Sequence, residues 1–250
     1  MKLTGFFVGV GLLARGIGGY ARSPRLLALG LVPALISAVI FSAAFGVLLY
    51  FVSDIVGWLT GFVDGWPEGL RDVVELGATL AVLGLGGLLT VLTFTAVTLL
   101  VGDPFYEKIS ERVERRYGGA PGAVDLPWHS SWRRSAADSV RLLLTSLAFG
   151  VPLFLCGFIP VVGQTVVPVA GALVGGWFLA LELVGVAFAR RGLRLADRRA
   201  ALRRHRPMAL GFGVAVFACF LIPLGAVLVM PAAVAGGTLL ARRVLGQPIA

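Results

Sequence analysis

The sequence has 250 residues, of which 58% are hydrophobic and 14% charged, and its mean hydropathy is +0.91. A soluble domain usually carries about a quarter charged residues and cannot bury this much apolar surface in one core. A soluble globular fold, a disordered chain and a disulfide scaffold are therefore excluded. The formal net charge is +9, but most of the excess lies in one arginine-rich run between apolar segments, which favours a cytoplasmic membrane surface over nucleic acid. The sequence predicts an all-α integral membrane protein.

The N-terminal segment, residues 1–25, is predicted to be an amphipathic helix in the membrane interface rather than a cleaved signal peptide. Within residues 4–22, apolar side chains recur at the three- and four-residue spacing of one helix face. These side chains are Phe6, Phe7, Val10, Leu13, Ile17 and Tyr20. Arg15 and Arg22 provide the polar side of the helix.

Two uncharged runs follow that are long enough to span a membrane. Residues 26–53 and 76–102 number 28 and 27 residues, and about 20 apolar residues cross a bilayer core of about 30 Å. Residues 1–25 contain four basic side chains, whereas residues 54–75 contain only Arg71. Because basic loops stay in the cytoplasm, the N-terminus is predicted to be cytoplasmic and the 54–75 loop external.

Residues 103–141 are polar and are predicted to form a cytoplasmic helical extension. Pro104 suits the first turn of a helix that Asp103 caps, and charged residues continue this helix to Arg116. The glycines that follow Tyr117 predict its end.

Two later apolar blocks, residues 142–189 and 207–241, are each bounded by arginine at both ends. The positive-inside rule places both ends of each block in the cytoplasm, so each block enters the membrane and returns. Two complete spans with a turn need about 42 to 45 residues, more than the second block contains. Both blocks are predicted to be intramembrane, re-entrant helical hairpins, and the depth of the first stays open. Residues 190–206 between them and the C-terminus are predicted to be cytoplasmic.

The two hairpins share a pattern at their tips, where cysteine stands four residues before proline and glycine follows closely. The shared residues are Cys156, Pro160 and Gly163 in the first tip and Cys219, Pro223 and Gly225 in the second. Proline with glycine favours a tight break between two helical arms. Backbone polar groups at such a break cannot face lipid, so the tips predict either a homo-oligomer or a water-filled cavity around them.

Four segments together carry a resemblance to a known family. They are Asp103-Pro104-Phe105-Tyr106 through Glu111-Arg112-Val113-Glu114, Glu182 with Ala189-Arg190-Arg191-Gly192-Leu193, Arg203-Arg204-His205-Arg206 with Leu210-Gly211-Phe212-Gly213, and Ile222-Pro223 with Met230-Pro231-Ala232-Ala233. Over nearly its whole length the chain resembles the CysZ/etoposide-induced protein family, whose bacterial members are known as sulfate permeases. The resemblance implies an oligomeric inner-membrane fold of two long transmembrane helices and two intramembrane hairpins. It also implies passive or proton-sensitive sulfate uptake.

The resemblance further implies an anion-binding Gly-Leu-Arg segment after a proline near the first span. Here Pro24 is followed by Arg25-Leu26-Leu27-Ala28, so a basic residue is present but displaced. A helix that starts at this proline offers free N–H groups that attract anions. Arg22 and Arg25 are therefore the candidate anion-binding residues, with lipid contact as the alternative.

Glu182 is the only acidic residue within any of the four apolar blocks. An ionisable side chain at membrane depth costs roughly 2.5–3.5 kcal/mol on insertion scales and is a functional candidate for that reason. Two interpretations stay open. A structural ion pair with an arginine of another segment is slightly favoured over a proton relay.

Six arginines of residues 190–206 form a second candidate set: Arg190, Arg191, Arg194, Arg198, Arg203 and Arg204. They either fix the topology and contact anionic lipids, at roughly 1 kcal/mol per basic residue, or form a vestibule that concentrates anions. The first interpretation is favoured because it follows from the general membrane rule.

No catalytic constellation, metal-ligand spacing or cofactor motif is visible in the sequence, which argues against an enzyme. The leading hypothesis is a permease for sulfate or a similar small anion. The alternative is a non-transporting membrane scaffold that shapes lipid or holds a partner protein.

Overall fold

The computed structural model describes the backbone of residues 2–124, 128–222 and 225–249, and in these ranges the chain forms helices and no strands. The α-helices are α1 Lys2–Ala21, α2 Pro24–Thr60, α3 Glu68–Arg116, α4 Trp128–Cys156, α5 Val162–Leu183, α6 Gly185–Ala189, α7 Leu195–Arg204, α8 Arg206–Phe220 and α9 Gly225–Val244. A short 3-10 helix covers Gly61–Val63. The predicted all-α class is confirmed. Pro223, one of the predicted tip residues, lies outside the described residues.

Within the described residues, five helical segments are long and apolar enough to cross a membrane. They are Leu3–Ala21, Pro24–Val63, Glu68–Thr90, Val162–Ala189 and Gly225–Val244. The predicted interfacial helix is among them, so its length is also compatible with a membrane span, and its place in the interface stays a prediction.

Helix α3 extends beyond both ends of the apolar run 76–102. It extends from Glu68 to Arg116 with Pro104 in its interior, so the prediction that Pro104 opens a new helix is wrong. Proline removes a single backbone donor, and good helix formers follow it, so the helix continues. Its predicted end is confirmed, because Gly118 and Gly119 have φ of +89° and +85°, a region that glycine adopts readily.

The chain divides into two compact units, and the second contains residues 31–102. In this unit the rings of Phe41 and Phe94 meet edge to face with centroids 5.6 Å apart, and Gly86 lies against Leu48. Most of its large apolar side chains are exposed, including those of Tyr50 and Trp58. Such a surface needs lipid or protein to cover it.

The first unit contains residues 1–30 and 103–250, and α8 lies at its centre. Helix α8 packs against α1, α5 and α9, and Phe212 and Val216 on α8 are completely buried. The helices approach closely through glycine: a Cβ atom on Gly213 would overlap the carbonyl oxygen of Gly176 on α5, and one on Gly9 of α1 would overlap that of Met208 on α8. Small residues at helix contacts are typical of membrane proteins.

Helices α4 and α5 pack together, as do α8 and α9. In each pair the second helix begins close to the end of the first. A Cβ atom on Gly163 would overlap the carbonyl oxygen of Gly157, and one on Gly225 would overlap that of Cys219, so glycine is required six residues after the contacted carbonyl in each turn. Pro160 lies in the first turn. Helix α8 has 15 residues and is therefore only about 22 Å long.

Candidate functional site

The residues best suited to bind an anion line a cavity of about 120 Å³ in the first unit, called here the Arg15 pocket. A single water needs about 10–15 Å³ of such space, so the pocket has room for a small oxyanion. Helix α1, the start of α2, the end of α3 and α9 form its walls. The lining residues are Arg15, Gly16, Gly19, Ser23, Leu26, Arg112, Val113, Arg116, Tyr117, Ala235 and Leu239.

Three arginines make the Arg15 pocket positive. Arg112 and Arg116 stand one turn apart on α3 and so share a helix face, and Arg15 comes from α1. None of the ion pairs between described side chains involves these three, and the described lining residues include no carboxylate. By contrast, Arg115 pairs with Glu111 at 3.2 Å. The three guanidinium groups therefore have donors available for a bound anion.

The N-terminus of α2 adds to this positive charge. The N–H groups of Leu26 and Leu27 each donate to the carbonyl oxygen of the lining residue Ser23 at 3.0 Å, and the first turn of a helix carries a partial positive charge. Arg22 and Arg25 are neighbours of Ser23 in sequence and are exposed, but neither lines the pocket. Their role in anion binding stays a prediction.

A buried polar network, the Glu114 cluster, holds the end of α3. It consists of Glu114, Arg190, Arg191, Arg242 and Gln247. The Nη1 atom of Arg191 donates to Oε1 of Glu114 at 2.5 Å, and its Nη2 atom donates to Oε1 of Gln247 at 2.7 Å. Arg190 Nη1 lies 3.9 Å from Glu114 Oε2. Glu114 is only 1% exposed, so its charge is stabilised by these arginines rather than by water.

Arg242 stabilises the turn that follows α3 by hydrogen bonds. Its guanidinium donates to the carbonyl oxygens of Gly119 and Tyr117, each at 2.5 Å, and to that of Pro248 at 2.9 Å. Carbonyl groups after a helix end have no partner within the helix and need one from elsewhere. Because Arg112 and Arg116 lie in the last turns of α3, the Glu114 cluster positions two of the three pocket arginines.

Glu182 lies at the end of α5 and acts on a buried arginine of α7. Arg198 is 8% exposed, and burial lowers its pKa, whereas the charges of Glu182 and Asp138 act in the opposite direction. Arginine keeps its proton at physiological pH even so. Both interpretations of Glu182, the ion pair and the proton relay, stay predictions.

The arginines of residues 190–206 do not form one surface. Arg190 and Arg191 belong to the Glu114 cluster, and Arg198 is buried. Arg194, Arg203 and Arg204 are exposed. A vestibule or a lipid-contacting surface can therefore be formed by these exposed arginines and not by the whole run.

Sequence reasoning missed the three pocket arginines as a set. Arg15 had been assigned only to the polar side of α1, and Arg112 and Arg116 to a charged helix. The four-residue spacing of Arg112 and Arg116 indicates that both lie on one face of a helix. The spacing does not indicate which other helices that face contacts. Among the residues that the structure describes, no group of three His, Cys, Asp or Glu side chains could hold a metal ion.

Comparisons with known proteins agree with one another. A family model described as sulfate transporter CysZ/etoposide-induced protein 2.4 matches residues 12–231. A sulfate transporter CysZ of Pectobacterium atrosepticum is 28% identical over 210 residues, covering 83% of this chain and 75% of that protein. The sulfate transporter CysZ of Vibrio parahaemolyticus is 28% identical, covering 87% of this chain and 87% of that protein. The one of Pseudomonas fluorescens (strain Pf0-1) is 30% identical, covering 87% of this chain and 86% of that protein. The relatives are named as transporters and not as enzymes, and the matched range includes every arginine of the Arg15 pocket.

Proposed function

Because the chain belongs to the sulfate transporter CysZ/etoposide-induced protein 2.4 family, we propose that it is a multi-pass permease for sulfate or a similar small anion in the bacterial inner membrane. The family membership confirms the resemblance identified from the sequence. Its relatives carry the name of a transporter, which favours transport over the scaffold alternative.

The Arg15 pocket is the observation that carries this proposal within the structure. Three guanidinium groups that form no ion pair with a described side chain supply charge-assisted donors, which replace part of the water shell that a sulfate ion loses. The partial positive charge at the start of α2 adds to the attraction. Arginine suits this task because its planar fork of N–H groups matches two oxygens of an oxyanion. The pocket also has apolar walls from Leu26, Val113 and Leu239, so an anion held there by the arginines is partly shielded from bulk water.

The proposed topology follows the charges and the helix lengths. The N- and C-termini are cytoplasmic, α2 and α3 supply the two long transmembrane helices, and the α4–α5 and α8–α9 pairs are re-entrant. The 15 residues of α8 support this arrangement, because about 22 Å falls short of a bilayer core. The tips around Pro160, Gly163, Pro223 and Gly225 line the aqueous path. A homo-oligomer and anionic lipids cover the exposed apolar and basic surfaces.

Transport is tested with the purified full chain in sealed vesicles. We expect labelled sulfate to accumulate inside faster than in protein-free vesicles, and unlabelled sulfate to compete better than chloride because it offers two charges and more acceptor oxygens to the arginines. Flux equal to that of empty vesicles across a range of pH would refute the permease proposal. Sulfate-free vesicles loaded with a membrane-impermeant dye serve as the leakage control.

The re-entrant hairpins are tested by cysteine labelling in intact cells. After Cys156→Ala and Cys219→Ala, the tips receive Phe158→Cys or Leu221→Cys, at side chains that are 74% and 71% exposed. We expect neither to react with an impermeant thiol reagent added outside, because the tips turn back within the membrane. Gly65→Cys, in the loop after α2, is the positive control and is expected to react. Strong labelling of the tip cysteines would show that the hairpins cross the membrane.

A further inference from the structure

A second cavity, of about 320 Å³, lies where the first hairpin meets α7. We call it the Trp177 groove. Helices α4 and α5 supply Phe149, Trp177 and Phe178 to its walls, and α7 supplies Arg199 and Arg203. The groove shares no lining residue with the Arg15 pocket, so an inference about it does not depend on sulfate binding.

One part of the Trp177 groove is apolar. The rings of Phe149 and Phe178 have centroids 6.1 Å apart, and Leu173 continues the same wall. These side chains belong to the apolar arms that the sequence places in the membrane, yet Phe149 is 55% and Leu173 43% exposed within the chain. An apolar surface of this kind is best covered by hydrocarbon.

The other part of the groove is cationic. Arg199 and Arg203 are four residues apart on α7 and therefore project from the same helix face. Arg199 Nη2 donates to the hydroxyl of Thr145 at 3.2 Å, which directs it towards the hairpin. Neither arginine takes part in an ion pair between described side chains. Their charges thus lie at the membrane-facing edge of a cytoplasmic helix, and no described carboxylate pairs with them.

We propose that the Trp177 groove binds an anionic glycerophospholipid, with the phosphate on Arg199 and Arg203 and an acyl chain along Phe149, Leu173 and Phe178. Guanidinium groups bind phosphate oxygens in pairs, and the apolar wall takes the chain. A free inorganic anion leaves most of this groove unused, because Phe149, Leu173 and Phe178 offer it no hydrogen-bond donor. The amphipathic groove therefore selects a ligand with a charged head and an apolar tail.

Trp177 provides the probe, since brominated acyl chains quench a tryptophan that they contact. The full chain and its Trp177→Phe variant are reconstituted in phosphatidylcholine vesicles that contain a minor fraction of brominated phosphatidylglycerol or, separately, brominated phosphatidylcholine. The difference between the two proteins isolates the signal of Trp177 from the other tryptophans. We expect the brominated anionic lipid to bind next to Trp177 at least about fivefold more strongly than brominated phosphatidylcholine. A factor of about five corresponds to the roughly 1 kcal/mol that one surface arginine contributes.

The matched variants are Arg203→Gln and Arg204→Gln. Both arginines are exposed near the end of α7, so neither substitution disturbs the core, but only Arg203 lines the groove. We expect Arg203→Gln to reduce the preference about fivefold and Arg204→Gln to leave it unchanged. Equal quenching by both lipids, or a preference that Arg203→Gln leaves as large as in the wild type, would overturn the proposal.

Discussion

Glu114→Gln is expected to destabilise the protein by about 3–5 kcal/mol, because it removes the one carboxylate found among the described residues of a buried charge network. The carboxylate is 1% exposed and accepts a 2.5 Å hydrogen bond from Arg191. A neutral amide leaves the Arg191 guanidinium buried without a counter-ion. A folded protein is typically stable by only about 5–15 kcal/mol, so we expect a large fall in the melting temperature. The melting temperature of the purified protein in detergent is measured by size-exclusion chromatography after heating.

Glu111→Gln is the matched control for this prediction. Glu111 lies one turn earlier on α3 and pairs with Arg115 at 3.2 Å, but the two side chains are 38% and 65% exposed. Exposed ion pairs contribute roughly 0–1 kcal/mol, so the control is expected to melt close to the wild type. Equal shifts for the two variants would show that burial of Glu114 has no special energetic role.

A double variant separates the buried charge from other effects of the substitution. Glu114→Gln combined with Arg191→Met removes both the carboxylate and its main partner, and replacing a buried pair by neutral side chains is often nearly neutral. We therefore expect the double variant to be more stable than the sum of the two single changes predicts, which a double-mutant cycle measures directly.

The class of the fold and the turn at Pro160 could be predicted from the sequence because they depend on local physical signals, whereas the predicted helix start at Pro104 was wrong. The apolar runs indicate helices long enough to cross a membrane, and the proline–glycine pattern marks the turn at Pro160. The helix end after Arg116 follows from glycines that accept a positive φ. These features need no knowledge of which helices are neighbours.

The Arg15 pocket could not be predicted in this way, because its arginines come from α1 and α3, about 100 residues apart in sequence. Their meeting depends on how α1 packs against α8 and α9, which in turn depends on contacts such as that of Gly16 with Gly236. The Glu114 cluster has the same origin, since it unites α3, the segment after α6 and the C-terminal residues. A charge pattern along one helix does not contain such information. The same limit explains why the exposed pair Arg22 and Arg25 stood out from the sequence and Arg112 did not.

Arg112→Gln is expected to reduce sulfate uptake about tenfold or more at low sulfate concentration. The substitution removes charge-assisted hydrogen bonds to the anion, each of which contributes roughly 1.5–3 kcal/mol. Arg112 makes no ion pair with a described residue, so we expect the melting temperature to change little. Initial rates of labelled sulfate uptake into vesicles, measured against sulfate concentration, give the effect. Arg112→Lys is expected to be intermediate because lysine keeps the charge but loses the planar fork.

Arg115→Gln distinguishes binding in the Arg15 pocket from a general effect of positive charge. The two variants lose the same charge three residues apart on the same helix, but Arg115 is 65% exposed and paired with Glu111. If the anion is held by direct contact in the pocket, Arg115→Gln retains wild-type uptake. If instead both variants lose activity equally and the loss disappears at high salt, the arginines act only through long-range attraction, which salt screens over about 8 Å.

Arg25→Gln extends the comparison to the exposed side of the α2 N-terminus. If Arg25→Gln reduced uptake as much as Arg112→Gln, the anion site would have to include the start of α2, as the sequence predicts.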